Sequence, residues 1–166
     1  MNKRIIILVA VLLLGGGIVL LTGQLAQSGQ SETMISEKEA RSTFFQGTVL
    51  AGTTAPYLDF ANQDYLDAVQ SGKLILLNFY ANWCPICRAE APEVMAGFTA
   101  LTSDQIIGFR VNFNDSETDQ VEKELAKRFK VPYQHTKVVL KNGIVVYRAT
   151  EAWDKEKTIT TLTSKL

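Results

Sequence analysis

The chain has 166 residues but only two cysteines, one histidine and four prolines. Two cysteines cannot build a disulfide framework, and with a single histidine they fall short of the four ligands of a structural zinc site. An excess of either charge is lacking too. Lys plus Arg (17) equal Asp plus Glu (17), which argues against nucleic acid or another polyanion as a partner. The length fits one domain of ordinary size with a short extension.

Both cysteines lie in Trp83-Cys84-Pro85-Ile86-Cys87, directly after an apolar run. A second, longer apolar run, Ile5 to Leu21, carries no charge and comes after Lys3 and Arg4. It reaches the lower end of the about 17 to 25 residues that span a bilayer and exceeds the about 7 to 15 of a signal-peptide core. Residues 5–21 are therefore expected to form a transmembrane anchor or an uncleaved signal, with residues 1–4 cytoplasmic. Ala26-Gln27-Ser28 keeps cleavage by a signal peptidase open. No cysteine stands just after the run to carry a lipid, and no basic residue occurs from Ile5 to Glu37, which favours export of the remainder of the chain. Residues 22–42, rich in Gly, Gln, Ser, Thr and Glu, read as a flexible linker. Residues 43–166 then form a domain expected outside the cytoplasm, held at the cell membrane by a single pass, as a monomer.

Within that domain, extended stretches are expected near Thr48 to Leu50 and Tyr57 to Phe60. A helix is expected over Asn62 to Ser71, with Tyr65, Leu66 and Val69 at helical spacing and Gly72 as its C-terminal cap. Lys73 to Ala81 is continuously apolar, as in a central strand covered on both faces. Val94, Phe98 and Leu101 predict a helix over 85–101, kinked at Pro92. Gln105 to Phe113 reads as a buried strand, and Ser116-Glu117-Thr118-Asp119 as a capping box opening a helix that buries Val121, Leu125 and Phe129. Lys137 to Leu140 and Ile144 to Arg148 flank Asn142-Gly143, a tight-hairpin signal. Asp154 caps a last helix bearing Ile159, Leu162 and Leu166. The order is β-α-β-α-β-α-β-β-α.

Two cysteines at i and i+3 on the first turn of a helix can bond without large backbone movement. Free backbone N–H groups and the helix dipole stabilise a thiolate at the first, and Pro85 suits that first turn. Cys84 is therefore expected to be the exposed, attacking thiol, and Cys87, less exposed, the one that resolves the mixed disulfide.

These residues resemble the thioredoxin superfamily over roughly Tyr57 to Leu166. The resemblance rests on the strand ending in Phe79-Tyr80-Ala81-Asn82-Trp83-Cys84-Pro85-Ile86-Cys87, on Pro92, on Val111-Asn112-Phe113-Asn114 and on Lys141-Asn142-Gly143. It implies an α/β thioredoxin-like fold, a central mixed β-sheet flanked by helices, here preceded by an N-terminal transmembrane helix. With the apolar run, the chain is similar to membrane-tethered, extracytoplasmic thioredoxin-like proteins that oxidise, reduce or isomerise disulfides. The implied activity is that of a protein-disulfide oxidoreductase with no cofactor or metal beyond a reversible Cys84–Cys87 disulfide. Its implied partners are exported thiol or disulfide proteins and a membrane redox partner.

The chain departs from the superfamily at two places. Members carry a buried Asp six residues before the first cysteine that helps move the proton of the second; Asn78 stands there, and an amide is no base. It reads as a hydrogen-bonded core amide. Glu90 and Arg110 are candidates to serve Cys87 instead, against the plainer role of surface or helix-end salt bridges. Counting back from Gly143, the superfamily's cis-proline falls on His135, with Thr136 as the strand Thr after it; Pro132 takes that place if the loop is three residues longer. A residue other than proline favours a trans peptide, so the main-chain recognition of substrates there is expected to differ. A lone His is commonly a solvated or hydrogen-bonded loop residue. As an imidazolium, His135 would stabilise the Cys84 thiolate; as a neutral imidazole it would complete a copper(I) site with Cys84 and Cys87. That arrangement is similar to the Sco-type copper chaperones, whose cysteines are spaced one residue wider. A redox-inactive interaction module is the plainest alternative, and the cysteine pair argues against it.

Overall fold

In a computed structural model, which describes residues 45–166, the elements in chain order are β1 (Val49–Ala51), β2 (Tyr57–Asp59), α1 (Asn62–Gln70), β3 (Leu74–Tyr80), α2 (Pro85–Ala100), β4 (Ile106–Asn112), α3 (Gln120–Arg128), β5 (Lys137–Lys141), β6 (Ile144–Ala149) and α4 (Lys155–Thr163). The expected anchor over 5–21 and linker over 22–42 lie outside the described residues. Among the described residues no helix is long and apolar enough to cross a membrane.

The strands form one mixed sheet in the order β1-β2-β4-β3-β5-β6. The apolar run became β3, and its place at the centre reflects its composition: every residue from Leu74 to Phe79 is buried. It pairs parallel with β4 and antiparallel with β5, so that Asn78 lies between Arg110 and Lys137. Alternation along β3 sorts its side chains onto two faces. Ile75, Leu77 and Phe79 join Tyr65 and Ala68 of α1 and Leu125 and Ala126 of α3. Leu74 and Leu76 join Val94 and Phe98 of α2, Leu162 of α4 and Trp153. Helices therefore cover both faces of a mixed sheet, the α/β arrangement expected.

The α2–α4 crossing is close. A Cβ built on Gly97 would stand 2.6 Å from Cβ and Cγ2 of Thr158, so only glycine lets the two helices approach this far. α2 continues through Pro92, whose missing N–H leaves the Arg88 carbonyl without its in-helix donor. The β5–β6 turn has Asn142 and Gly143 both at positive φ (52° and 73°), the left-handed pair that a two-residue hairpin takes.

Three local expectations are corrected. Both extended stretches near the start are regular strands, so the order gains β1. The helix after β4 is capped by Asp119, which accepts from Glu122 N while Glu122 accepts from Asp119 N. The box therefore lies three residues beyond Ser116, because Asp115 binds Glu117 N and the Thr118 hydroxyl and keeps that stretch in a loop. Val121 accordingly faces solvent, as do Leu66 of α1 and Leu166, while Leu125, Phe129 and Leu162 are buried.

Candidate active site

The cysteines sit where β3 ends and α2 begins. Cys84 is the N-cap residue of α2, in extended backbone (φ −78°, ψ 118°), and its Sγ accepts from Cys87 N at 3.3 Å. Pro85 takes the first helical position, where it forfeits no hydrogen bond. The turn before it is braced from the β4–α3 loop. Asn82 N donates to Asp115 Oδ2 at 2.9 Å, Asn82 Nδ2 to Ser116 Oγ at 3.1 Å, and Trp83 Nε1 to the Asn114 carbonyl at 2.9 Å. Trp83 and Ile86 remain about half exposed on either side of Cys84.

Neither thiol is open. Cys84 and Cys87 are each 2% exposed, which corrects the expectation that the first would be the more accessible. His135 is part of the cover at Cys84, its Nδ1 lying 3.9 Å from Cys84 Sγ, and Ala81, Cys87 and Tyr80 pack around the same residue. Burial first, and then its hydrogen bond with Cys84, push the Cys87 thiol up to about 12.

His135 stands directly before Thr136 and β5, at the end of the loop after α3. Its φ of 53° is left-handed, a conformation that costs a non-glycine residue about 1–2 kcal/mol. Two backbone bonds to β3 offset that cost: His135 N donates to the Phe79 carbonyl at 2.6 Å, and Phe79 N to the Thr136 carbonyl at 2.9 Å. Thr136 also donates its hydroxyl to the Tyr133 carbonyl at 2.7 Å. No cis peptide bond occurs among the described residues. Burial, and secondly the charge of Lys137, hold the imidazole below its ordinary range, which favours its neutral form.

Under the thiols lies a charged pair that the sequence did not announce. Glu90, one helical turn beyond Cys87, is buried against Lys137 in an ion pair, and Glu90 Oε1 also accepts from Trp153 N at 2.6 Å. The expected surface salt bridge therefore does not describe Glu90. Lys137 Nζ further donates to the carbonyls of His135 (3.0 Å) and Glu151 (2.9 Å). Burial holds the Lys137 ammonium below the usual lysine range, and Glu90 acts against that shift. The available signal was a lone charge at the head of Lys137-Val-Val-Leu, since a lysine in a buried strand needs a partner. Arg110 points elsewhere: it pairs with Asp59, Nη2 to Oδ1 at 2.6 Å, and lies over the Tyr80 ring. Asn78 donates to the Tyr57 hydroxyl at 3.0 Å, and its Oδ1 has no partner.

The sulfurs of Cys84 and Cys87 and a ring nitrogen of His135 all lie within 4.8 Å of one another. Two thiols so placed can close a disulfide by small side-chain rotations, and with a neutral imidazole they form a soft, three-donor set for a metal such as copper(I).

Known proteins are similar to this chain in sequence and fold. A model of the thioredoxin family matches residues 57–164. Thioredoxin H5 of Arabidopsis thaliana is 32% identical over 110 residues, 64% of this chain and 81% of that protein. Thiol:disulfide interchange protein HelX of Rhodobacter capsulatus is 36% identical over 85 residues, 48% of this chain and 46% of that protein. The crystal structure of Trxlp from Edwardsiella tarda EIB202 aligns with a TM-score of 0.53 at 26% identity, over 63% of this chain and 95% of its own. Thiol–disulfide exchange is the general chemistry of this site, and the chain belongs to the thioredoxin family.

Proposed function

We propose that this chain is a membrane-tethered protein-disulfide oxidoreductase whose domain works outside the cytoplasm on exported thiol proteins and a membrane redox partner, as a monomer. The observation that carries the chemistry is the cysteine pair at the head of α2, with Cys84 Sγ as N-cap acceptor and both sulfurs within 4.8 Å. Likeness to a thiol:disulfide interchange protein, HelX, supports the same class of reaction. The apolar run Ile5 to Leu21 supports the tether and the side of the membrane.

In the reducing direction the Cys84 thiolate attacks one sulfur of a substrate disulfide. The new bond is a mixed disulfide, and the departing thiolate takes up a proton. Cys87, deprotonated, then attacks Cys84 Sγ and releases the second substrate thiol, so the substrate gains two electrons and the chain ends as the Cys84–Cys87 disulfide. Burial, the largest cause of the upward shift of the Cys87 thiol, persists in the mixed disulfide and keeps the thiol protonated near pH 7, so this second step needs a proton acceptor. Asn78 cannot serve. Glu90, the buried carboxylate one turn further along α2 and close enough for its charge to act on the Cys87 thiol, is the candidate acceptor.

Replacing Cys84 with Ser is expected to abolish disulfide exchange, and replacing Cys87 to trap mixed disulfides. Activity that survives Cys84→Ser sinks the reading. Export is tested by protease digestion of intact cells or spheroplasts, where a domain that resists until the membrane is broken refutes it.

A second reading has its own observation. The triad of Cys84, Cys87 and a neutral His135 suits copper(I), which would be held by the two sulfurs and the imidazole. Copper(I) competition against a chromogenic chelator decides it: reduced protein binds, and His135→Ala weakens binding by about tenfold or more. An affinity unchanged by that substitution removes His135 from the site.

A further inference from the structure

Lys137 is used in an unusual way. Its side chain is fully buried, and all three of its ammonium protons are taken, by Glu90, by the His135 carbonyl and by the Glu151 carbonyl. Burial obliges all three donors to find partners, and which partners they find decides what the lysine holds. Two of them are loop carbonyls, and one of those loops carries the imidazole that stands 3.9 Å from Cys84 Sγ.

We propose that Lys137 is a positioning residue that holds the His135 segment closed over Cys84 and so sets how readily a disulfide reaches the attacking thiol. The inference rests on the oxidoreductase reading and deepens it. Cys84 is 2% exposed, so an incoming disulfide must first displace part of its cover. Swinging peptide 135 outward breaks the Lys137 Nζ bond to the His135 carbonyl in a buried setting. Opening thus sacrifices a charge-assisted hydrogen bond, which corresponds to about ten- to a hundredfold in the closed-to-open ratio. The bonds to Glu90 and Glu151 keep the ammonium in place meanwhile, so the loop can close again on the same donor. The left-handed φ of His135 works in the opposite sense, because releasing the segment lets that residue relax. The cover is thus strained at His135 and held by the Lys137 donor together with the bond from His135 N to the Phe79 carbonyl, and removing the buried ammonium takes away the charge-assisted part of that hold.

The experiment uses the full chain, reduced and free of oxygen. Lys137→Met alone leaves the buried Glu90 carboxylate without its counter-charge and loses stability for that reason, so the informative variant is Lys137→Met with Glu90→Leu, which replaces the pair by apolar side chains of similar size. In that variant iodoacetamide is expected to modify Cys84, identified by peptide mapping, about tenfold faster than in wild type at the same pH. Urea titration of the same samples gives the fraction unfolded; a rise in rate no larger than that fraction accounts for overturns the proposal. A second readout does not depend on stability. The chain has one histidine, so its ring signals in a nitrogen-15 spectrum belong to His135 alone. In wild type they shift when the Cys84–Cys87 disulfide forms, because Nδ1 faces Cys84. The double variant loses that response, whereas Glu90→Gln, which leaves Lys137 on both carbonyls, retains it. A double variant whose His135 signals still respond to oxidation as in wild type overturns the proposal, whatever its alkylation rate. Neither measurement involves a substrate, so failure of the oxidoreductase reading, judged by Cys84→Ser, is told apart from failure of this one.

Discussion

Burial of Cys87 links the stability of the reduced domain to alkaline pH in a way that one substitution isolates. Its thiol is raised from 9.0 to about 12, chiefly by burial and then by its hydrogen bond with Cys84. The unfolded chain therefore loses this proton before the folded one does. The contribution is accordingly complete below pH 9 and is lost as pH climbs towards 12. Between pH 9 and 10.5 an unscreened difference of this kind amounts to about 2 kcal/mol. Water reaches the rim of the site beside half-exposed Trp83 and Ile86, and screening leaves about 1 kcal/mol. Urea unfolding of reduced wild type and of Cys87→Ser, run in parallel from pH 7.5 to 10.5, measures it. Titrating groups other than Cys84, which is hydrogen-bonded to residue 87, are common to both proteins and cancel, and running the same comparison in a Cys84→Ser background removes Cys84 as well. The advantage of wild type over the serine variant is expected to hold steady to about pH 9 and then to shrink by about 1 kcal/mol. A difference that stays flat to within about 0.3 kcal/mol across that range would refute the account of a thiol kept protonated by its surroundings.

Packing and hydrogen bonding set two further outcomes. Asp115→Ala removes the acceptor of Asn82 N, Glu117 N and the Thr118 hydroxyl; these donors can reach water, so the loss is about 1–2 kcal/mol in urea unfolding. It also frees the Trp83 turn, which raises quenching of the exposed tryptophan by iodide; unaltered quenching means the loop does not brace the cysteines. Gly97→Ala gains about 1 kcal/mol of helix propensity but forces a methyl to within 2.6 Å of the buried Thr158 Cβ, at a cost of about 1–3 kcal/mol. The variant should unfold at lower urea than wild type, and a stabilised variant would show that α2 and α4 yield to each other.

What the sequence disclosed was whatever depends on neighbours along the chain. The run Leu74 to Phe79 announces a buried strand by composition, and Asn142-Gly143 announces its hairpin because only such residues take two successive left-handed conformations. The cysteine spacing and Pro85 place the thiols on a first helical turn for the same local reason. Contacts between distant residues were silent. Glu90 and Lys137 are each ordinary charged residues until β5 is laid beside β3, and nothing near Glu90 in α2 signals that its partner comes from a strand. The burial of Cys84 was hidden likewise, since its neighbour His135 arrives from 51 residues away. At Ser116 the difficulty was competition: two overlapping capping patterns were present, and the Asp115 turn decided for the later one.

The Asn142-Gly143 hairpin has a practical consequence. β3 sets Leu74 opposite Lys141, beside that hairpin, and ends at Tyr80, four residues before the first thiol. Seven residues at about 3.3 Å each put roughly 20 Å of rigid sheet between the hairpin and the cysteines. A peptide tag or surface linker spliced between Asn142 and Gly143 would therefore fasten the domain by its inert pole. The thiols would then face outward, ready to fish disulfide partners from solution on a column or a sensor chip.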